Sequence, residues 1–216
     1  MSQSFHFWEN YYRDLINETL PDASHFAIYA CKFIDPDALV IDLGCGNGRD
    51  SRFLGRFNDL VGIDQSGAAI QYCNSQLLLK IEKAKNIAFH NLTIEDVKIF
   101  EIFNAKLRTC AYQKIFIYAR FFLHAIDETQ YEKFWDFTHW LNLRYSVAIG
   151  VEFRTIEDKY NFKEFPDHFR RYLDPKAVVT DAESRGFFVR EIQQGYGLAK
   201  YKSEDPHLAR IIFDSR

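Results

Sequence analysis

The sequence has no block of basic residues, no long apolar run and no signal for secretion. Its 216 residues hold 27 Lys and Arg against 30 Asp and Glu, a balance that argues against a large polyanionic partner such as nucleic acid. No apolar stretch approaches the length of a membrane span, and the first ten residues lack a basic region followed by an apolar core. We therefore expect a cytoplasmic protein that acts on a small molecule, with no nucleic-acid or membrane partner; a homodimer is compatible with this composition.

Cysteine is also scarce. The four cysteines form no C-x-x-C pair and no grouping with histidine at the spacing of metal ligands, so we expect reduced thiols and no metal site. They are Cys31, Cys45, Cys73 and Cys110.

The residues that are present predict a single α/β domain over 1–216, since 47% are hydrophobic and 26% charged. Strands are predicted at 39–43, 60–64, 87–92, 114–122, 145–153, 187–194 and 207–214. Helices are predicted at 49–57, 67–85, 127–141 and 175–186, with a weak helix or loop at 94–104. This alternation predicts a doubly wound, seven-stranded, mainly parallel sheet that binds ligands at the carboxyl ends of its strands. Residues 1–38 and 154–173 lie outside the minimal pattern, and we interpret them as an N-terminal helical lid and an acceptor-side insertion.

Glycines follow the first predicted strand at alternate positions, in the order Asp42-Leu43-Gly44-Cys45-Gly46-Asn47-Gly48. Glycine permits positive φ and a close approach of the backbone to a ligand. A dinucleotide fingerprint, G-x-G-x-x-G/A, would need a small residue at position 49, where the sequence has Arg49. The spacing is instead D-x-G-x-G-x-G, and the next strand ends on Asp64.

This spacing resembles motif I of the class I S-adenosylmethionine-dependent methyltransferases. The segments F-W-E-N-Y-Y, G-I-D-Q-S, Y-A-R-F-F-L-H-A-I and F-R-R-Y-L extend the resemblance over nearly the whole chain. The branch it resembles is bacterial and similar to tellurite-resistance and thiopurine-type enzymes and to methyltransferases of capsular-polysaccharide gene clusters. The resemblance implies a Rossmann-like methyltransferase fold, S-adenosylmethionine as cofactor, and O-methylation of a small anionic or phosphorylated acceptor, for example a phosphoramidate group.

The cofactor-binding residues are expected after the first three strands. A carboxylate at Asp64 can accept from two ribose hydroxyls, although it can also cap the next helix. Asp42 is expected to orient the glycine loop and reach the methionine ammonium, with a structural role as the alternative. The resemblance implies an adenine-contacting acid after the third strand, and Asp96 is preferred to Glu95, although both can cap a helix. The expected set is Asp42, Gly44, Cys45, Gly46, Asn47, Gly48, Asp64, Gln65, Glu95 and Asp96.

The catalytic candidates follow the fourth strand. His124 is our candidate base because the ordinary pKa of histidine lies near neutrality; a packed histidine is the alternative. His168 is a rival base, and Arg120 either holds an anionic acceptor or forms an ion pair.

Two further groups are predicted to bind the acceptor. The aromatic N-terminal segment contributes Tyr11, Tyr12 and Arg13 if it is a lid, and ordinary helix packing is the alternative. Arg154, Arg170 and Arg171 can clamp a phosphate or carboxylate, with solvated surface charge as the alternative.

The acceptor itself is open at this stage. No N/D-P-P-Y/F sequence follows the fourth strand, so methylation of an adenine or glutamine amino group is disfavoured. Detoxifying methylation of tellurite or a thiol needs no protein base and is the first alternative. A non-catalytic binding partner with this fold is the second.

Overall fold

The computed structural model describes residues 3–14, 22–78, 86–96, 98–109, 112–164 and 168–215. A single sheet has the strand order β3-β2-β1-β4-β5-β7-β6. The strands are β1 Leu39–Leu43, β2 Leu60–Asp64, β3 Ile87–Asn91, β4 Lys114–Arg120, β5 Ser146–Arg154, β6 Phe187–Gly195 and β7 Leu208–Ser215. Strands β1 to β5 pair in parallel, and β7 runs antiparallel between β5 and β6. The predicted seven-stranded, mainly parallel fold is confirmed.

Helices flank this sheet on both faces. They are α1 Gln3–Asp14, α2 His25–Ala30, α3 Arg49–Leu54, α4 Gly67–Leu78, α5 Lys98–Thr109, α6 Glu128–Asn142 and α7 Pro175–Ser184. One buried cluster includes Phe103, Phe134 and Trp135, and a second cluster joins Phe26 of α2 to Val40 of β1 on the other side. Every residue of β1 and β2 is buried, as expected for parallel strands covered on both faces.

Several boundaries differ from the prediction. Helix α3 ends at Leu54 because the chain turns at Gly55, and α5 occupies 98–109 where 94–104 was predicted as a weak helix or loop. Strand β4 ends at Arg120 because Phe121 has a φ of 55°, which no strand residue adopts. The predicted extension of α4 through 79–85 lies outside the described residues.

Helix α6 begins as its sequence predicts. The Asp127 carboxylate accepts from the backbone N–H of Gln130, and the Gln130 side chain accepts from the Asp127 N–H in return. This reciprocal arrangement satisfies two donors that a helix start would otherwise leave without partners. The segment between β4 and α6 is thereby fixed next to the carboxyl end of the sheet.

The two segments outside the minimal pattern are only partly described. Helix α1 packs on α4, while most of the link from α1 to α2, residues 15–21, lies outside the described residues. Within 154–173, Thr155 pairs with Leu173 as an isolated bridge, and 165–167 are again outside. Cys31, Cys45 and Cys73 are free thiols; Cys110 falls on an undescribed position.

Candidate active site

A cavity of about 670 Å³ lies at the carboxyl ends of β1, β2, β4 and β5. Its size falls within the range of small-molecule pockets. Leu43 at the end of β1 and Gly44 after it border the cavity, and Gln65 borders it after β2. Phe7 and Trp8 of α1 close one side of it. The position is the one that a doubly wound sheet offers to ligands, as the sequence predicts.

The loop after β1 requires its glycines. Gly44, Gly46 and Gly48 have φ values of 74°, 53° and 74°, in the left-handed region that favours glycine. A Cβ on Gly44 would lie 2.7 Å from Cδ2 of Phe122, and one on Gly46 would lie 2.2 Å from the hydroxyl of Tyr12. Both the backbone conformation and the closeness of neighbouring side chains therefore exclude larger residues.

Two buried carboxyl groups flank this loop. Asp42 is 2% exposed, borders the cavity and accepts a hydrogen bond from Oγ of Ser51. Burial raises the pKa of Asp42 to about 8, although the Ser51 hydrogen bond acts in the opposite direction. Asp64 accepts from the backbone N–H groups of Gly46 and Ser66, each at 2.8 Å, and burial raises its pKa as well. Asp64 thus holds the glycine loop and also borders the cavity.

The other predicted cofactor residues divide into two groups. Cys45, Asn47 and Gln65 border the cavity, whereas Glu95 and Asp96 do not. The positions after β3 that do border it are Leu92, Thr93 and Ile94.

The acids at positions 95 and 96 have structural contacts instead. The Asp96 carboxylate accepts from the backbone N–H of Lys98 at 3.0 Å, at the start of α5, and Glu95 accepts from the Gln130 side chain at 2.9 Å. Their position does not support the predicted contact with adenine, and the helix-capping alternative describes Asp96.

A third buried carboxylate was missed as a site residue. Asp50 borders the cavity and accepts from the backbone N–H of Ser24 at 2.8 Å, from Oγ of Ser24 at 2.7 Å and from the Tyr118 hydroxyl at 2.8 Å. The sequence suggests only an acid in the first turn of α3. Ser24 and Tyr118 are far from Asp50 in the chain, so no local pattern could have indicated this network.

Arginines from β4 and β7 also border the cavity. Nε of Arg120 donates to Glu152 at 2.9 Å, and Nε of Arg210 donates to the second oxygen of Glu152 at 2.6 Å. Glu152 is fully buried, so one carboxylate orients two guanidinium groups beside the cavity. The Arg120 guanidinium also lies 4.2 Å from the ring centre of Phe121. Arg210 was not predicted as a site residue.

Arg154 has a different set of partners. Its terminal nitrogens donate to Asp158 at 2.6 Å and to Glu204 at 2.5 Å, and all three residues are buried. Arg154 borders the cavity, but its ion pairs make it first of all a structural residue and not the unpaired clamp that the sequence suggests. Glu204, which also borders the cavity, was missed.

The fold brings only some of the remaining predicted acceptor residues to the cavity. Arg170, Tyr11 and Tyr12 border the cavity. Arg171 does not, because it forms an ion pair with Glu128 on the surface. Arg13 has 62% of its side chain exposed and pairs with Glu9, so its position does not support acceptor binding either.

His124 is not poised as a base. It is 4% exposed, and its Nδ1 accepts a hydrogen bond from the backbone N–H of Arg154 at 3.3 Å. Burial lowers the pKa of His124 well below its ordinary value, and the neighbouring cations Arg154 and Arg170 lower it further. A general base needs a free lone pair and a pKa near the working pH. The predicted role of His124 as base is therefore not supported.

His168 is packed among rings and is equally unsuited. Its ring centre lies 4.5 Å from that of Phe7 and 4.9 Å from that of Trp8. Burial and the charge of Arg170 lower the pKa of His168 to about 3, so at neutral pH it binds a proton only weakly. Both histidines border the cavity as neutral rings.

Helix α1 is attached beside the cavity by Glu9. The Glu9 carboxylate accepts from Oγ of Ser66 at 2.8 Å and from the backbone N–H of Ala68 at 3.3 Å. These groups lie at the start of α4, where an anion is favourable. Glu9 was not predicted as a site residue, because its partners Ser66 and Ala68 follow β2 and are far from Glu9 in the sequence.

The described residues contain neither a cluster suited to a metal ion nor a helix suited to crossing a membrane. No cluster of three or more His, Cys, Asp or Glu side chains within them has an arrangement suited to a metal ion. None of the helices in that part of the chain has both the length and the apolar character needed to cross a membrane.

The chain is similar to known methyltransferases in part of its sequence and in its fold. Residues 34–127 match a family model described as a methyltransferase domain. No curated protein matches the chain by sequence. Among solved structures, an S-adenosylmethionine-dependent methyltransferase from Anabaena variabilis is similar with a TM-score of 0.71 and 17% identity, covering 100% of this chain and 96% of the other.

Two other solved structures show the same likeness. TehB from Haemophilus influenzae has a TM-score of 0.63 and 17% identity, over 97% of this chain and 67% of its own. Magnesium protoporphyrin IX methyltransferase from Synechocystis, with bound S-adenosylhomocysteine, has a TM-score of 0.58 and 12% identity, over 99% and 86%. At these identities the likeness establishes the fold.

The family model matches only part of the chain. The matched segment 34–127 contains β1 to β4 and the glycine loop, and so includes Asp42 and Asp64, which border the cavity. The chain after residue 127, which holds Arg154 and Arg170, lies beyond it. Residues 34–127 match a methyltransferase-domain model, and the chain has the fold seen in solved S-adenosylmethionine-dependent methyltransferases.

Proposed function

We propose that this chain is an S-adenosylmethionine-dependent methyltransferase that methylates an oxygen atom of a small anionic acceptor. The observation that carries the proposal is that one cavity is bordered by both buried acids and arginines. Asp42 and Asp64 border it at the carboxyl ends of β1 and β2. Arg120 at the end of β4, Arg210 on β7 and Arg170 before α7 border it as well. A cationic cofactor and an anionic acceptor are complementary to these two sets of side chains.

The acidic residues fit this cofactor. The Asp64 oxygens accept one backbone N–H each, and each retains a lone pair that can accept from a ribose hydroxyl. Burial raises the pKa of Asp42, and an ammonium group bound beside it would act in the opposite direction and favour the ionised carboxylate that accepts from it. The left-handed glycine loop leaves room for the backbone to approach a ligand closely. When bound, the cofactor supplies a methyl group on a sulfonium, which needs no further activation.

The rest of the chain contributes orientation and exclusion of water. Trp8 and Tyr12 on α1 lie over the cavity next to the glycine loop, and Arg120 is fixed by Glu152. Holding two reactants in line can supply about 7–11 kcal/mol of a reaction barrier. A site of this kind therefore needs positioning residues more than reactive ones.

A more specific proposal for the acceptor comes from the resemblance of the sequence to methyltransferases of capsular-polysaccharide gene clusters. Surface-polysaccharide modification, including methylation of a phosphoramidate group, remains our preferred context, and the arginines that border the cavity support the anionic part of it. The second candidate is detoxifying methylation of tellurite or a thiol. Tellurite and a thiolate bring no proton to be removed, so this candidate agrees with the position of His124, which does not serve as a base.

Calorimetric titration with S-adenosylmethionine and S-adenosylhomocysteine tests the first part of this proposal. We expect both to bind, and Asp64→Asn to weaken binding by about tenfold or more through loss of charge-assisted hydrogen bonds. Asp96→Asn, which alters an acid outside the cavity, is the matched control and should bind normally. A folded chain that binds neither compound would favour the non-catalytic alternative.

The acceptor is then sought by S-adenosylhomocysteine release. A panel of phosphorylated sugars, nucleotide-linked sugars, carboxylates, tellurite and thiols covers both candidate functions. Turnover of a phosphorylated or carboxylated compound supports the leading proposal. Turnover confined to tellurite or thiols would replace it with the detoxifying one.

A further inference from the structure

His124 borders the cavity from the turn between β4 and α6. Its ring is buried, and its Nδ1 receives the backbone N–H of Arg154. A backbone N–H can only donate, so Nδ1 must present its lone pair. In the neutral ring the proton then belongs to Nε2. Among the described residues, the hydrogen bond that the His124 ring makes uses Nδ1 and not Nε2.

The charges around His124 keep it in this form. Arg120 faces it from β4, Arg154 from β5, and Arg170 and His168 from the segment before α7. The nearest carboxylate, Glu152, is already shared by Arg120 and Arg210. A second proton on the ring would add a buried positive charge among these cations, and the pKa of His124 is accordingly well below its ordinary value.

A neutral histidine that borders the cavity and carries its proton on Nε2 can donate a hydrogen bond from that nitrogen. The cations beside it, Arg120 and Arg170, are donors too. Three donors that border one cavity are complementary to an oxygen that bears negative charge and has several lone pairs. They are not complementary to a hydroxyl group, which brings a proton of its own and requires an acceptor for it.

We propose that His124 donates a hydrogen bond from Nε2 to an acceptor oxygen that enters the cavity already ionised, and that it removes no proton. The proposal rests on the methyltransferase function and specifies its acceptor class as a carboxylate or phosphate-type oxyanion. The new O–C bond forms as the S–C bond of the donor breaks, and the electron pair of that bond stays on sulfur. The acceptor oxygen has no proton to lose, so none needs a destination.

Nitrogen-15 NMR of histidine-labelled protein tests the tautomer without any acceptor. We expect His124, identified by the signal missing from His124→Gln, to show a protonated Nε2 and an unprotonated Nδ1 throughout pH 6–8. A proton on Nδ1, or a ring that titrates within this range, would overturn the proposal.

Anion binding is then probed in the S-adenosylhomocysteine complex with sodium acetate and inorganic phosphate. We expect the Nε2–H signal of His124 to shift with at least one of them, and the responding anion distinguishes a carboxylate from a phosphate source. His139 lies in the last turn of α6 and is hydrogen-bonded to the Arg185 carbonyl, and its signals serve as the internal control. If neither anion moves the His124 signal, the oxyanion role is wrong.

Variants separate a donor from a base once an acceptor has been found. Glutamine can donate a hydrogen bond but cannot take a proton at neutral pH, whereas leucine can do neither. A donor role predicts that kcat/KM of His124→Gln stays within about tenfold of the wild type and that of His124→Leu falls further. A base role predicts equal losses of about 10²–10⁴-fold in both, with an acidic limb lost from the pH profile. Failure of the function itself would show separately, as absent cofactor binding in the calorimeter.

Discussion

Asp42 shows at the scale of one residue how the site weakens the fold that carries it. Its carboxyl is buried beside the glycine loop, and burial raises its pKa from 3.8 to about 8. Between these two values the folded chain binds more protons at this group than the unfolded chain does. Stability contributed by this group is therefore present below pH 4 and falls as the pH rises to 8.

Asp42→Asn is expected to remove this dependence, because an amide does not ionise. The free energy of unfolding of the wild type should decline between pH 5 and 8 by at least ~1.4 kcal/mol more than that of the variant, which corresponds to one pKa unit. Urea denaturation across this range measures the difference. Asp96→Asn, a change at a surface helix cap, is the control and should follow the wild type. Parallel curves for wild type and Asp42→Asn would contradict the pKa assigned to Asp42.

Single residues also show what a sequence can and cannot reveal about a site. The sequence could predict that Asp42, Gly44 and Asp64 border the cavity because the strand, the turn and the carboxylate lie in one local pattern. Asp50 and Glu152 were missed as site residues because their partners come from other strands and helices. The fold decides whether a charged side chain is free to bind a ligand or is paired with a neighbouring side chain. Arg154, which is paired with Asp158 and Glu204, is an example.

At the scale of secondary structure, α1 is the element most open to a direct test. It lies on the start of α4 through Glu9 and brings Tyr12 against Gly46. The Glu9 carboxylate is favourable there because it meets the positive end of α4. A ligand at the glycine loop would contact the same face of α1, so we expect α1 to control access to it.

Glu9→Ala should loosen α1 without unfolding the sheet. We expect faster hydrogen exchange over residues 3–14 and faster dissociation of S-adenosylhomocysteine, with the melting temperature lowered by only a few degrees for a loss of about 1 kcal/mol. Hydrogen-exchange mass spectrometry and stopped-flow fluorescence of the α1 tryptophan, Trp8, measure the two effects. Arg13→Ala, which removes only the exposed partner of Glu9, is the matched control. Unchanged exchange in Glu9→Ala would show that the aromatic contacts alone hold α1.

The elements were predicted better than their ends. Apolar runs such as Leu39–Leu43 fix a buried strand because few other structures place five such residues out of water. The end of β4 depends on the positive φ of Phe121, which is held by the Phe121 N–H bond to the Glu152 carbonyl and by Arg120 over its ring. Neither contact has a signature in the local sequence.

At the scale of the whole molecule, the Arg154 ion pairs join parts of the chain that the sheet does not. Asp158 lies in a short 3-10 turn after β5, and Glu204 lies in the link between β6 and β7. Both carboxylates are buried and both receive Arg154. Asp158 also pairs with Nζ of Lys163 at 3.2 Å, so loss of Arg154 removes the cation from Glu204 first of all and leaves a buried charge without compensation.

Arg154→Met is therefore expected to lower the free energy of unfolding by about 3–5 kcal/mol. Arg171→Met is the matched control, because its ion pair with Glu128 is largely exposed and should contribute less than about 1 kcal/mol. Urea denaturation at pH 7 gives both values. A loss at Arg154 as small as that at Arg171 would show that Asp158 and Glu204 find other partners, and would return Arg154 to the acceptor-binding residues.

The position of β7 has a consequence for the order in which the chain acquires its structure. β7 follows β6 in sequence but lies between β5 and β6 in the sheet. During synthesis on the ribosome, β6 has no neighbour to pair with until residues 208–215 emerge, and β5 keeps an open edge meanwhile. The carboxyl-terminal hairpin must therefore dock as one unit, and an arrested nascent chain that stops before residue 208 should be a preferred client for chaperones that recognise unpaired strands.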